Sequence, residues 1–164
     1  MDRLWSPWRY NYIVGMGGEK ANDESCIFCD LSAADPSHDE RNFILHRAEH
    51  NYIVLNLYPY ASGHLLIVPY EHTADLDEAS EATTAELMRL TVRCQTALRA
   101  AYAPDGFNLG MNLGRAAGAG VAAHIHLHIL PRWTGDANFM TTIGETRVLP
   151  EELTTTYKKL REIF

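Results

Sequence analysis

The stretch His124-Ile125-His126-Leu127-His128-Ile129-Leu130-Pro131 decides how the rest of the chain is read. Three histidines alternate with large apolar residues. Side chains on a β-strand alternate between its two faces, so His124, His126 and His128 fall on one face and Ile125, Leu127 and Ile129 on the other. The apolar face is expected to pack into a core and the histidine face to line a cleft. Imidazoles repeating every ~7 Å along a strand suit two kinds of site. A catalytic zinc often takes three histidines. Alternatively, the middle imidazole is a nucleophile and its neighbours orient and polarise around it. Upstream, Asn112-Leu-Gly114-Arg-Ala-Ala-Gly118-Ala119-Gly120-Val121 is a small-residue loop whose backbone N–H groups can approach an anion closely. Such a loop beside a histidine row points to phosphoryl or nucleotidyl transfer.

Outward from this row, Phe107–Leu113 alternates and predicts the preceding strand. Phe43–His46 and Tyr52–Asn56 predict two strands joined by a polar turn, and His64–Val68 a third, stopped by Pro69. His64 itself reads either as a ligand or as a loop-facing hydrogen-bonder. Thr83–Tyr102 predicts one long helix. Leu87, Leu90, Cys94, Ala97 and Ala101 form its apolar stripe, Thr83 and Glu86 stand at capping-box spacing, and Arg89, Arg93 and Arg99 form a solvated face. Leu149, Leu153, Tyr157, Leu160 and Phe164 predict a C-terminal amphipathic helix with Pro150 in its first turn. A short helical turn and loop are expected over Asp30–Asp39. The fold class is therefore α+β, an antiparallel sheet of about five strands with one long helix and a C-terminal helix. No repeat or boundary divides residues 1–164, which read as one domain: an aromatic arm and link over 1–23, carrying Trp5, Trp8, Tyr10 and Tyr12, and a core over 24–164.

The chain has 164 residues, 46% hydrophobic and 21% charged, with a net charge of −7. That balance argues against coating nucleic acid, since such domains are usually basic, while local N–H groups or cations can still hold a small anion. No apolar run reaches the ~18 residues of a membrane span, and the first residues hold no signal-peptide core, so a cytoplasmic protein is expected. Its three cysteines are then thiols or metal ligands rather than a disulfide framework. Cys26-Ile-Phe-Cys29 is half a zinc site or a redox pair; a redox motif should sit near a βαβ pattern, and none surrounds it.

The chain resembles the histidine triad (HIT) family. His124–Leu130 matches the family pattern, as do the glycine loop and Ser62-Gly63-His64-Leu65-Leu66-Ile67-Val68-Pro69. Within the family it is most similar to the bacterial diadenosine tetraphosphate phosphorylase branch. The residues that carry this are Leu4–Tyr12, Val54–Tyr60 and Pro131–Phe139, so the resemblance spans nearly the whole chain. The resemblance implies a HIT-like fold, a dinucleoside polyphosphate substrate and His126 as the nucleophile in a covalent nucleotidyl-histidine intermediate. It implies that His128 assists the leaving group and that His124 sets the geometry. Gly118, Ala119, Gly120 and Val121 would hold phosphate oxygens through their N–H groups, and Asn56 and Asn112 would contact the nucleotide. It further implies a structural zinc on Cys26, Cys29, His72 and His124, no organic cofactor, and a homodimer or higher homo-oligomer. Arg132 reads equally as a partner of distal phosphates or as a surface arginine. Phosphorylase, hydrolase and phosphoramidase activities share this nucleophile, and a non-catalytic nucleotide- or metal-binding protein is the competing class. Base preference has no motif.

Overall fold

A computed structural model gives the structure of the chain and describes residues 26–144 and 149–164. Five antiparallel strands form one sheet: β1 (Ile44–Arg47), β2 (Asn51–Leu55), β3 (Leu65–Pro69), β4 (Gly106–Gly110) and β5 (Leu127–Arg132), in the spatial order β1-β2-β3-β5-β4. Four α-helices accompany it among the described residues: α1 (Ile27–Ala33), α2 (Glu81–Tyr102), α3 (Phe139–Thr142) and α4 (Leu153–Arg161). This is the α+β arrangement expected. The aromatic arm lies outside the described residues.

The run Leu65-Leu66-Ile67-Val68 is apolar without alternation, and β3 is accordingly buried at every position. Both faces of the sheet are covered. On one face Leu45, Ile53, Leu55, Leu65, Ile67, Leu127 and Ile129 pack against Leu87, Leu90, Cys94 and Leu98 of α2 and Tyr157 and Leu160 of α4. On the other, Ile44, Tyr52, Val54, Leu66 and Val68 lie beneath Phe28 of α1. Each aliphatic side chain fully buried in this way contributes about 1.5–3 kcal/mol. Leu87, Leu90, Cys94 and Ala97 of the predicted α2 stripe are buried, with Cys94 a core residue, while Ala101 is partly buried against the same core.

The long helix starts earlier than the capping-box spacing suggests. Ser80, not Thr83, is the N-cap, and its Oγ accepts the Thr83 N–H at 3.2 Å. Glu86 caps nothing in the helix; its carboxylate accepts from the Glu49 and His50 N–H groups and from Asn51 Nδ2, stapling the β1–β2 turn onto α2. Arg93 and Arg99 are exposed but engaged: Arg93 donates to His46 Nε2 at 2.8 Å, and Arg99 lies over the Phe107 ring at 5.1 Å. The C-terminal helix begins at Leu153, after Pro150, and Leu149 stays 40% exposed outside its stripe.

The histidine strand also differs. Its ladder starts at Leu127 because β3 reaches it only as far as Ile67 and β4 only as far as Gly110, opposite His128. Upstream, Ile125 N–H instead donates to Thr73 O at 2.8 Å. The strand continues through Pro131, which pairs with Phe107 beyond the last β3 partner, Ile129. Pro131 therefore sits where β5 has one neighbour, the place a strand proline is tolerated. The turn before β3 presses on α2: a Cβ on Gly63, whose φ is +77°, would meet Leu98 Cδ2 at 2.9 Å, so glycine is required there.

Candidate active site and metal centre

The first turn of α1 brings the two cysteines toward the histidine row. Cys26 occupies the N-cap position and Cys29 the first turn. The far end of α1 is held by Arg47, which donates to the carbonyls of Leu31, Ser32 and Ala34 and forms an ion pair with Asp39 at 2.8 Å. Cys26 Sγ lies 3.3 Å from His124 Nδ1, Cys29 Sγ 3.2 Å from His72 Nδ1, and Cys29 Sγ 3.6 Å from His124 Nδ1. The four ligand atoms lie within 4.8 Å of one another. Tetrahedral zinc with bonds of ~2.3 Å to sulfur and ~2.0–2.1 Å to nitrogen requires sulfur–nitrogen separations of roughly 3.5 Å, so the cluster fits such an ion. The outer side of His124 fits too. Its Nε2 faces Pro69 O at 3.0 Å; a carbonyl only accepts, so the proton is on Nε2 and the Nδ1 lone pair faces the sulfurs. Metal-bound imidazoles are typically oriented by this kind of outer hydrogen bond.

Of the two residues between the cysteines, Phe28 was not singled out by the sequence. Phe28 packs on both His124 and His126, with ring centroids 5.4 and 4.9 Å away. His124 and His126 are 1% and 6% exposed, so this end of the row is roofed by α1 and is not the open cleft expected. His126 Nδ1 lies 2.9 Å from the His124 carbonyl oxygen. By the same logic Nδ1 carries the proton and Nε2 keeps its lone pair. Burial pushes the His126 pKa below the ordinary imidazole value, against the opposing effect of the His124 carbonyl, so the ring is neutral at pH 7.

At the other end, His64 is 1% exposed and touches His128, Nε2 to Nδ1, at 2.9 Å. It is a hydrogen-bonder that faces the loop, as expected, and the triad as well. Its Nδ1 receives the Tyr60 N–H at 3.1 Å and Asn56 Nδ2 at 3.3 Å. The Asn56 amide is oriented by its oxygen, which accepts the Tyr58 N–H at 3.0 Å. Two donors converge on His64 Nδ1, so His64 carries its proton on Nε2 and gives that hydrogen bond to His128 Nδ1. Neutral His128 then carries its proton on Nε2. Tyr60 lies tilted against His64 at 4.7 Å and stacks on His128 at 6.1 Å. Asn56 thus reaches the site through His64. The signal for His64 in the sequence was its place at the start of a buried apolar strand.

The glycine loop turns through a 3-10 segment, Arg115–Ala117, flanked by Gly114 and Gly118 at φ of 76° and 87°. The Gly118 and Ala119 N–H groups donate within the loop, to Arg115 O at 3.0 Å and Gly114 O at 3.3 Å. Gly120 and Val121 are the remaining candidates for phosphate, and Val121 packs in the cluster that holds Phe28. Asn112 is half-buried at the start of this loop. Arg132 is bound in place: it donates to Asp136 at 2.6 and 2.7 Å and to Asn108 Oδ1 at 2.6 Å. It pins the loop after β5 instead of standing as a bare cation. Beyond His128 along the same face opens a cleft of about 720 Å³.

The HIT domain family matches residues 22–135. The chain belongs to the HIT family. A relative from Mycobacterium tuberculosis named AP-4-A phosphorylase is 38% identical over 161 residues, 98% of this chain and 83% of that protein. Among solved HIT structures, a zinc-bound histidine triad family protein from Mycobacterium smegmatis aligns with a TM-score of 0.67 at 28% identity, over 85% of this chain and 92% of that one. A hypothetical histidine triad nucleotide-binding protein from Sulfolobus tokodaii gives a TM-score of 0.66 at 30% identity, over 84% and 91%. The family pattern therefore covers the cysteines, the glycine loop and the whole histidine row. No described helix is long and apolar enough to cross a membrane.

Proposed function

We propose that this HIT protein transfers a nucleotidyl group, by attack at the α-phosphorus of a dinucleoside polyphosphate of the diadenosine tetraphosphate class, to inorganic phosphate through a covalent intermediate on His126. The observation that carries the reading is the fixed tautomer of a buried, neutral His126, whose Nδ1–H is held by the His124 carbonyl at 2.9 Å and whose Nε2 keeps a lone pair. The Mycobacterium tuberculosis relative supports the substrate class and the use of phosphate. In the first step Nε2 attacks the α-phosphorus, the bond to the bridging oxygen breaks, and the polyphosphate half leaves. His128, protonated at Nε2, donates to that oxygen. Gly120 and Val121 N–H groups hold the non-bridging oxygens, where preorganised donors stabilise charge developing in the transition state. Asn56 and Asn112 border the nucleotide. In the second step a phosphate oxygen attacks the phosphorus and His126 is released neutral.

The Cys26, Cys29, His72 and His124 cluster would hold a structural zinc, fixing the strand that carries the nucleophile. The donor set and the zinc-bound Mycobacterium smegmatis neighbour support that identity. A homodimer fits the edge strand β4, whose outer side has no described strand beside it. Reduced thiols in that cluster fit a cytoplasmic location.

Product analysis with labelled phosphate tests the reaction. Phosphorolysis of diadenosine tetraphosphate yields ATP and labelled ADP. Label-free products with AMP formed at the same rate with and without phosphate would make the protein a hydrolase.

A further inference from the structure

We propose that the cleft beyond His128 binds the second nucleoside of the substrate, the uncharged aromatic half of the leaving group; this rests on the nucleotidyl-transfer reading above. Its volume of about 720 Å³ is walled by Tyr60, Tyr102, Asn108, Arg132, Trp133 and Asn138, among others. Pockets for small organic ligands span roughly 300–1,000 Å³.

Position is the first argument. His128, Leu130 and Arg132 are successive positions on one face of β5, and the latter two line the cleft. They lie roughly 7 and 13 Å beyond His128 at strand spacing, a distance that a polyphosphate bridge covers. Tyr60 joins the two regions, lining the cleft while its ring stacks on His128 with 14° between the planes. A leaving group whose bridging oxygen takes a hydrogen bond from His128 therefore departs along this face.

Charge is the second argument. Among the described residues that line the cleft, Arg132 and Lys159 are basic and Asp136 and Glu151 acidic. Arg132 is paired with Asp136, and Lys159 with Glu151. Phosphate entering here would have to compete with a carboxylate for each cation, whereas a neutral base and ribose would disturb neither pair. The phosphates thus stay over the histidines and the glycine loop, and the nucleoside occupies the cleft.

The third argument is the rigidity of the aromatic wall. The Trp133 ring meets Tyr102 edge-on at 6.4 Å, and its Nε1–H donates to Tyr102 O at 3.4 Å. The loop that carries it is tied by Asp136 N–H to Trp133 O at 3.1 Å, Trp133 N–H to Asp136 Oδ2 at 3.2 Å and Thr134 N–H to Asp105 Oδ2 at 2.6 Å. An indole held this way offers a stacking surface without a large ordering cost on binding. Asn108 and Asn138 line the same cleft.

The test compares two substrates that deliver the same adenylyl group to His126: diadenosine tetraphosphate, and the 4-nitrophenyl ester of AMP, whose leaving group has no nucleoside. The readout is the ratio of kcat/KM values, dinucleotide over ester. In Trp133→Ala that ratio is expected to fall about tenfold, mostly through KM, as loss of one base-stacking partner implies. Ala137→Trp, at an exposed position lining the cleft, should lower the ratio similarly by filling it, and covers the case in which Trp133→Ala does not fold. A ratio unchanged within about twofold in the folded variants would overturn the subsite. If the wild-type protein turns over neither substrate, the nucleotidyl-transfer reading fails and the subsite falls with it.

Discussion

The two ends of the histidine row carry the same side chain in opposite surroundings. At one end His124 gives its proton to Pro69 O at 3.0 Å and turns Nδ1 toward thiols at 3.3 and 3.6 Å. At the other, His128 takes a hydrogen bond on Nδ1 from His64 at 2.9 Å and keeps its proton on Nε2. Between them, His126 is held at Nδ1 by a backbone carbonyl and has Nε2 to spare. Strand alternation puts all three on one face but does not distinguish them. The task of each ring is set by which nitrogen a neighbour occupies.

The largest break in this comparison comes at its centre. His126→Ala should lower turnover of diadenosine tetraphosphate by roughly three orders of magnitude or more, with the fold intact by circular dichroism. Residual activity within tenfold of wild type would exclude His126 as nucleophile.

The buried end should fail as a unit with its metal. Purified protein should hold about one zinc per chain by elemental analysis, as a closed four-ligand site predicts. Cys26→Ser should lose the metal and lower Tm by roughly 5–10 °C, the shift for a loss of about 2–3 kcal/mol in a chain of this size. Wild-type protein that is metal-free and unmoved by a chelator would contradict the assignment.

The His128 end should respond to the leaving group. His64→Ala removes the group that fixes the His128 tautomer, and should slow diadenosine tetraphosphate cleavage about ten- to a hundredfold. The 4-nitrophenyl ester of AMP needs little help from a proton and should lose much less. Equal losses on both substrates would reduce His64 to a packing residue.

The smallest effect lies outside the row and calibrates the scaffold. Burial would raise the Glu86 pKa, but hydrogen bonds from Asn51, His50 and Glu49 outweigh it and hold the carboxyl below its ordinary value. A carboxylate depressed in the folded state adds stability above its unfolded pKa of ~4.3, lost as pH falls through the folded value. Glu86→Gln should therefore cost about 1–3 kcal/mol at pH 7, from donors left poorly matched, and the gap to wild type should narrow below about pH 4. A pH-independent gap would show that the carboxylate charge is not what holds the β1–β2 turn.

Elements whose periodicity reflects burial were legible in the sequence. Leu87, Leu90, Cys94 and Ala97 mark α2 because one face of that helix meets the sheet. Leu65–Val68 marks β3 because both its faces are covered. Cys26, Cys29, His72 and His124 converge as the donor chemistry suggests. Features fixed by contacts distant in sequence were not legible. α1 is seven residues long and has no side-chain cap, and Arg47 supplies its C-terminal partners from β1. Where β5 begins depends on where β3 and β4 stop, which its own residues do not record. Ser80 and Thr83 both suit an N-cap, and Glu86 was drawn off by amides in the β1–β2 turn, where His50 lies thirty-six residues earlier in the chain. His64 acquires its role only when β3 sets it beside β5, through the register Leu66↔His128.

The tautomer pattern can be read directly by long-range heteronuclear NMR of nitrogen-labelled imidazoles in the metal-loaded protein at neutral pH. The account predicts a proton on Nε2 of His124, on Nδ1 of His126 and on Nε2 of His128. A proton on Nε2 of His126 would leave no lone pair for attack at phosphorus and would contradict it.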